Sequence, residues 1–189
     1  MATVPSWVKN ESMPLTVFYT ATSLDGFIAD PDDSLSWLMT RNQDRSGPLN
    51  YEDFIADIGA AVMGRTTYEW VLDYEGPDAA WPYDIPCWVF SNHDVPKIDG
   101  DIRFEKGDVS EHHAAMVEAA GGKGVWVVGG GDLAAQFADA GLLDEVIVYI
   151  APVFLGAGAP LFPRRQELEL VELAQNVEFA CARYKVVSS

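Results

Sequence analysis

Apolar positions along the chain follow two rhythms. Short runs that are unbroken or alternate with polar residues read as strands, and runs spaced by three and four read as helices. Residues 15–22, Leu-Thr-Val-Phe-Tyr-Thr-Ala-Thr, are rich in β-formers and predict the first strand. Asp25-Gly26 marks a turn before the short apolar piece Phe27-Ile28-Ala29. Residues 30–36 and 41–48 are polar and read as surface loops. Residues 50–58 predict a helix with Asn50 as N-cap and Tyr51, Phe54, Ile55 and Ile58 on its inward face. A strand over 60–63, a helix over 65–74 and strands over 87–91 and 102–105 follow. Between them, residues 76–86 carry three prolines and read as a loop with an exposed Trp81. Ser110 is the expected cap of a helix that runs to about Ala120, where Gly121-Gly122 ends it.

Four apolar residues, Val125-Trp126-Val127-Val128, then run into Gly129-Gly130-Gly131 and a stretch of helix formers through Ala140. This predicts a buried strand, a glycine turn and a helix capped by Asp132. Residues 145–151 form a strand stopped by Pro152, residues 156–160 a flexible loop, and residues 168–173 and 178–187 a terminal hairpin. Strands that alternate with helices and close in a strand pair predict an α/β fold. Its sheet is mostly parallel, with an antiparallel C-terminal pair. Residues 1–12 have no period and read as a flexible N-terminal arm, leaving 13–189 as a single domain.

Charge narrows the ligands. With 12 basic against 29 acidic residues the formal net charge is −17, which opposes nucleic acid or an anionic membrane surface as partner. An anionic ligand must then be held locally, by backbone N–H groups and a few placed cations. No apolar run is long enough to span a bilayer, and no basic stretch followed by an apolar one opens the chain. A cytoplasmic protein is expected. Cys87 and Cys181 both sit in apolar, strand-like runs, which predicts two buried thiols and no metal site.

The candidate chemistry lies at strand ends, where open α/β sheets bind their ligands. The turn Val128-Gly129-Gly130-Gly131-Asp132-Leu133 turns backbone N–H groups and a helix start toward one spot, and lacks side chains that would hold a ligand off. Its glycine spacing is not that of the usual dinucleotide fold. Asp132 weighs against a phosphate seated directly on this terminus. In Gly64-Arg65-Thr66-Thr67 another strand ends in glycine as a helix begins, and Arg65 adds a fork of phosphate-binding donors. Ser91-Asn92, at a third strand end, suits a ribose or its phosphate, and His93 beside it reads as exposed. Asp25 could orient a substrate or close its own turn.

Taken in order, Ser23-Leu24-Asp25-Gly26-Phe27-Ile28-Ala29, Met63-Gly64-Arg65-Thr66-Thr67-Tyr68-Glu69, Val128-Gly129-Gly130-Gly131 and Ala151-Pro152-Val153-Phe154-Leu155-Gly156-Ala157-Gly158 resemble the dihydrofolate reductase-like superfamily. The nearest branch is the pyrimidine reductase C-terminal domain of riboflavin biosynthesis and its stand-alone relatives. The resemblance spans roughly residues 15 to 187. It implies a three-layer fold, NADPH, hydride transfer from the nicotinamide to a carbonyl of a small substrate, and a homodimer. Carried over, Arg65, Thr66 and Thr67 would bind the phosphate region, and Ser91 and Asn92 would lie near the adenosine 2′-phosphate. Residues 129–133 would cover the pyrophosphate and nicotinamide, with a cis peptide at Gly129-Gly130 or Gly130-Gly131.

Substrate is less legible. Folate reductases place an acid on the inward face of the helix before Met-Gly-Arg. Here that place is Asn50, and Glu52, Asp53 and Asp57 point elsewhere, so folate reduction is disfavoured. The pyrimidine reductase needs cations for a sugar phosphate, and only Arg41 and Arg45 lie in a loop that could reach in. Tyr51 and Asp25 are the candidates for substrate contact and proton transfer. The alternatives are a reductase of another carbonyl or pterin-like ring, or a nucleotide-binding protein without catalysis.

Overall fold

A computed structural model describes residues 14–187, so the arm expected at 1–12 lies outside the described residues. The chain runs β1 (Thr16–Ser23), β2 (Phe27–Ala29), α1 (Ser36–Met39), α2 (Tyr51–Ala56), β3 (Ile58–Gly64), α3 (Arg65–Glu75), β4 (Cys87–Phe90) and β5 (Ile102–Glu105). It continues with α4 (Val109–Ala119), β6 (Gly124–Gly129), α5 (Gly131–Asp139), β7 (Glu145–Ala151), β8 (Ala159–Pro160), β9 (Leu168–Asn176) and β10 (Phe179–Val186). Eight strands form one sheet in the order β5-β4-β3-β6-β1-β7-β10-β9, and β2 pairs with β8 beside it. The pairs from β5 through β7 are parallel, while β10 is antiparallel to both β7 and β9.

Parallel strands need cover on both faces, and the alternation of side chains supplies it. Ala60, Val62, Val125 and Val127 pack with Met116 of α4 and Leu133, Ala134 and Phe137 of α5. Their neighbours Ala61, Met63 and Trp126 point the other way, against Tyr68 and Val71 of α3. A third cluster sets Trp37 of α1 on Tyr149, Phe179 and Cys181. The outcome is the α/β fold with a mostly parallel sheet that the pattern predicts, in the three layers that the resemblance implies.

Strand order then fixes where a ligand can enter. From β3 the chain steps outward to β4 and β5, returns through α4 to β6 on the other flank of β3, and continues to β7. The direction of winding reverses between β3 and β6, and a crevice opens at the carboxyl ends of the strands at such a reversal.

Several boundaries differ from the sequence reading for local reasons. The helix expected over 50–58 ends at Ala56, because Asp57 gives its carbonyl to Gly124 N–H at 2.8 Å and ladder pairing begins at Ile58. Asn50 does cap that helix, accepting from Asp53 N–H at 2.8 Å. Asp108, not Ser110, caps α4, since its carboxylate accepts Ser110 N–H at 2.8 Å. Gly130, not Asp132, is the N-cap of α5. Trp81 is buried, its ring 5.5 Å from that of Tyr68, where an exposed loop residue was expected. Residues 159–160 are a strand bound to β2 rather than free loop. Both cysteines are buried free thiols, as expected.

Candidate active site

A cleft of about 650 Å³ opens where β3, β4 and β6 end. Two helices begin on it. Helix α3 starts after Gly64 and α5 after Gly130, both caps in extended conformation and neither helix with a side-chain cap. The first-turn N–H groups of both helices are therefore left for a ligand, and both helix dipoles present their positive ends. The peptide Gly129–Gly130 between β6 and α5 is cis.

Glycine lets these turns meet. A Cβ on Gly129 would sit 3.0 Å from Thr67 Oγ1, so the two turns are already in contact. A Cβ on Gly131 would strike the carbonyl oxygens of Pro160 and Leu161. Strand β8 can thus lie across the start of α5 only because position 131 has no side chain.

A third wall comes from β4 and β5. Ser91 N–H donates to Glu105 O at 3.1 Å, which holds the two strand ends together. Ser91 Oγ donates to His93 O at 2.8 Å and accepts His93 N–H at 3.1 Å, closing the turn that presents Asn92. Beyond β5 stands Lys106. Among the described residues lining the cleft, the cations are Arg65 and Lys106. Arg65 also meets Glu69 one turn along, at 3.6 Å. At the rim, Asp132 is held by Arg164 at 3.0 Å and by Gln136 at 2.8 Å, and Arg164 also pairs with Asp139. The charge that Asp132 adds to the start of α5 is thereby countered.

The structure gathers Gly64, Arg65, Thr66, Thr67, Ser91, Asn92, Val128, Gly129, Gly130, Gly131, Asp132 and Leu133 around this one cleft. Neither of the two residues named for substrate is in this lining. Asp25 accepts Ser23 Oγ–H at 2.6 Å, Leu155 N–H at 3.0 Å and Gly156 N–H at 2.7 Å, and so anchors a loop. Those bonds, led by the one from Ser23, hold its carboxyl down at about 2. Tyr51 leans its ring edge on Trp126 at 5.7 Å, outside the cleft lining. Burial raises its phenol pKa. Arg41 pairs with Glu178 at 3.6 Å and Arg45 with Glu52 at 3.7 Å, and neither lines the cleft.

Residues not singled out from sequence complete the lining: Thr20, Ile28, Leu35, Trp70, Tyr83 and Lys106 among them. Helical spacing could have found Trp70, which stands four residues after Thr66 on α3. The strand-end rule could have found Lys106. Tyr83 comes from the proline-rich loop, which carries no periodic signal. Its ring lies 5.7 Å from Trp126, and burial, then the neighbouring Tyr51, pushes its phenol well above the usual range. Among the described residues no group of three or more His, Cys, Asp or Glu is placed to hold a metal. No described helix is long and apolar enough to cross a membrane.

A reversal-point cleft between two uncapped helix starts, in this strand order, defines a dihydrofolate reductase-like fold. The same fold is seen in dihydrofolate reductase from Enterococcus faecalis complexed with NADP(H), at TM-score 0.58 and 14% identity over 91% of this chain and 96% of that one. Residues 98–184 match the RibD C-terminal domain family. The uncharacterised protein YwjB of Bacillus subtilis (strain 168) is 34% identical over 148 residues, 78% of this chain and 82% of YwjB. A Shewanella sp. PV-4 protein assigned to riboflavin biosynthesis superposes with TM-score 0.77 at 26% identity, over 92% of this chain and 99% of that one. The chain belongs to the RibD C-terminal domain family.

Proposed function

We propose that the chain is an NADPH-dependent reductase that delivers hydride to a carbonyl of a small substrate. The observation that carries this reading is the convergence of the uncapped starts of α3 and α5 on one glycine-walled cleft. Such starts suit a pyrophosphate. Arg65, Lys106, Ser91 and Asn92 supply the charge and donors that an adenosine 2′-phosphate needs. The cleft volume of about 650 Å³ lies in the range of cofactor and small-molecule sites. When bound, the cofactor supplies the hydride, and the chain binds, orients and keeps water away.

Family membership and the NADP(H) complex of a protein with this fold support the same reading. We assign the proton donor's place to Tyr83, the phenol in the cleft lining, with solvent water as the other source. The test is a titration of the protein with NADPH and NADH, read by quenching of tryptophan fluorescence. Binding of NADPH at micromolar levels is expected, weakened roughly tenfold by Arg65→Ala. If neither nucleotide binds, the reading fails.

A further inference from the structure

We propose that the substrate half of the cleft takes a flat ring that carries no phosphate, laid against Trp70 and Tyr83. This rests on the reductase reading above and narrows its substrate. Strand order sets out the cleft from end to end. The ends of β5 and β4 bring Lys106, Ser91 and Asn92 to one side, β3 and β6 bring Arg65 and the glycine turn to the middle, and β1 brings Thr20 to the other side. Both lining cations therefore stand with the donors suited to a dinucleotide.

The rest of the lining differs in character. Tyr83 meets Trp126 of β6 edge-on at 5.7 Å, and Tyr51 of α2 meets the same indole at 5.7 Å. Trp70, one helical turn past Thr66, presents a second broad ring and is itself stacked on Tyr74 at 4.9 Å with planes 12° apart. That stack fixes the indole's plane, which suits a flat ligand. Leu35 and Ile28 add apolar surface. Apart from Asp132 at the rim, the carboxylate of the lining is Asp33, which accepts N–H donors and repels phosphate. Arg41 and Arg45 are turned to Glu178 and Glu52. A net charge of −17 adds a repulsive field for a second anion.

The decisive experiment compares one ring with and without its phosphate. A ribosylated aminouracil and its 5′-phosphate are titrated by calorimetry into the protein with and without saturating NADP+, with pterin as a third, phosphate-free ring. The unphosphorylated nucleoside is expected to bind at least as tightly as its phosphate. Trp70→Leu and Tyr83→Leu are each expected to weaken ring binding roughly tenfold while leaving NADP+ affinity within about threefold. Asp33→Asn is expected to narrow the gap between the two nucleosides. Phosphate that tightens binding tenfold or more overturns the proposal. So does binding that both aromatic variants leave unchanged, or failure of all three rings to bind at about 1 mM. Nicotinamide nucleotide affinity, read in the same preparation, reports separately on the reductase reading.

Discussion

Asp25 Oδ2 accepts the backbone N–H of Gly156 at 2.7 Å, joining the turn after β1 to a loop 131 residues further along the chain. The other oxygen takes Leu155 N–H and the Ser23 hydroxyl. This loop leads into β8, whose Ala159 and Pro160 line the cleft. The clasp works as an ionised carboxylate. Its pKa is lowered from the ordinary 3.8 to about 2, so its contribution to stability is present above about pH 4 and is lost as pH falls toward 2. Asp25→Asn is expected to melt at a lower temperature than the natural protein at neutral pH, with the two melting temperatures converging by about pH 2. Thermal melts by circular dichroism across this range check it. A difference that stays constant with pH would show that the charge is not what holds the loop.

Gly131 and Gly64 begin neighbouring helix starts but stand in different surroundings. A side chain at 131 would run into the carbonyls of Pro160 and Leu161, whereas a Cβ at 64 finds nothing nearer than 3.9 Å. Gly131→Ala is expected to cost about 1–3 kcal/mol, because β8 must lift away. Gly64→Ala is expected to change stability by less than about 0.5 kcal/mol. Urea unfolding curves measure both.

These contrasts also show why some of the molecule was legible in the sequence and some was not. Strand ends such as Met63-Gly64-Arg65 and Val128-Gly129-Gly130 are local signals, since a β-branched or apolar run, a glycine and a helix start adjoin in the chain. The strand-end residues therefore gather at one cleft as read. Tyr83 enters from a loop whose path is set by Trp81 packing on Tyr68, a contact between residues 13 positions apart that no periodicity reports. Asp25 reads slightly better as a turn-former than as a substrate contact, though both can hold. Only the approach of Leu155 and Gly156 decides where its carboxylate goes. Tyr51 was read as facing inward on a longer helix, and the helix stops short because Asp57 is recruited by Gly124.

The outer edge of the sheet supports the expected homodimer as a proposal. Leu168, Leu170 and Leu173 of β9 stand opposite Val186, Tyr184 and Ala182 of β10, which pack on the α4–α5 side of the core. All three leucines are exposed, so an apolar stripe runs off the core onto an edge strand. Antiparallel pairing with β9 of a second copy would cover it under twofold symmetry. Sedimentation equilibrium is expected to give twice the chain mass of 20.7 kDa, and Leu170→Asp to give the single mass. A natural protein that sediments as one chain at micromolar concentration would remove this edge as an interface.

Tyr83 and Tyr51 should separate in kinetics. The hydroxyls of Tyr19, Tyr68 and Tyr149 donate to the carbonyls of Leu49, Pro96 and Pro48. That of Tyr83 makes no such bond to a described residue, and its ring lines the cleft. Burial keeps this phenol protonated far above neutrality. If it gives the proton to a reduced carbonyl, Tyr83→Phe lowers kcat by roughly a hundredfold with little change in KM. Tyr51→Phe, outside the cleft, changes kcat by less than about threefold. Stopped-flow NADPH oxidation reads both, and equal losses would place the donor elsewhere.

Cofactor preference falls to the two cations of the cleft in unequal shares. Arg65 begins α3 in the middle of the lining, but Glu69 at 3.6 Å already engages part of its guanidinium. Lys106 follows β5, beside the Ser91–Asn92 turn that Glu105 holds in place. Its side chain has no carboxylate partner among the described ion pairs, so a bound anion would be its first. If the 2′-phosphate lies at this end, Lys106→Ala weakens NADPH roughly tenfold and leaves NADH within about twofold, whereas Arg65→Ala weakens both. The expected ratio of affinities should also shrink as salt rises, because an exposed lysine–phosphate contact is screened within about 10 Å at 0.1 M. A Lys106→Ala protein with undiminished preference for NADPH would move the 2′-phosphate away from β5 and toward Arg65.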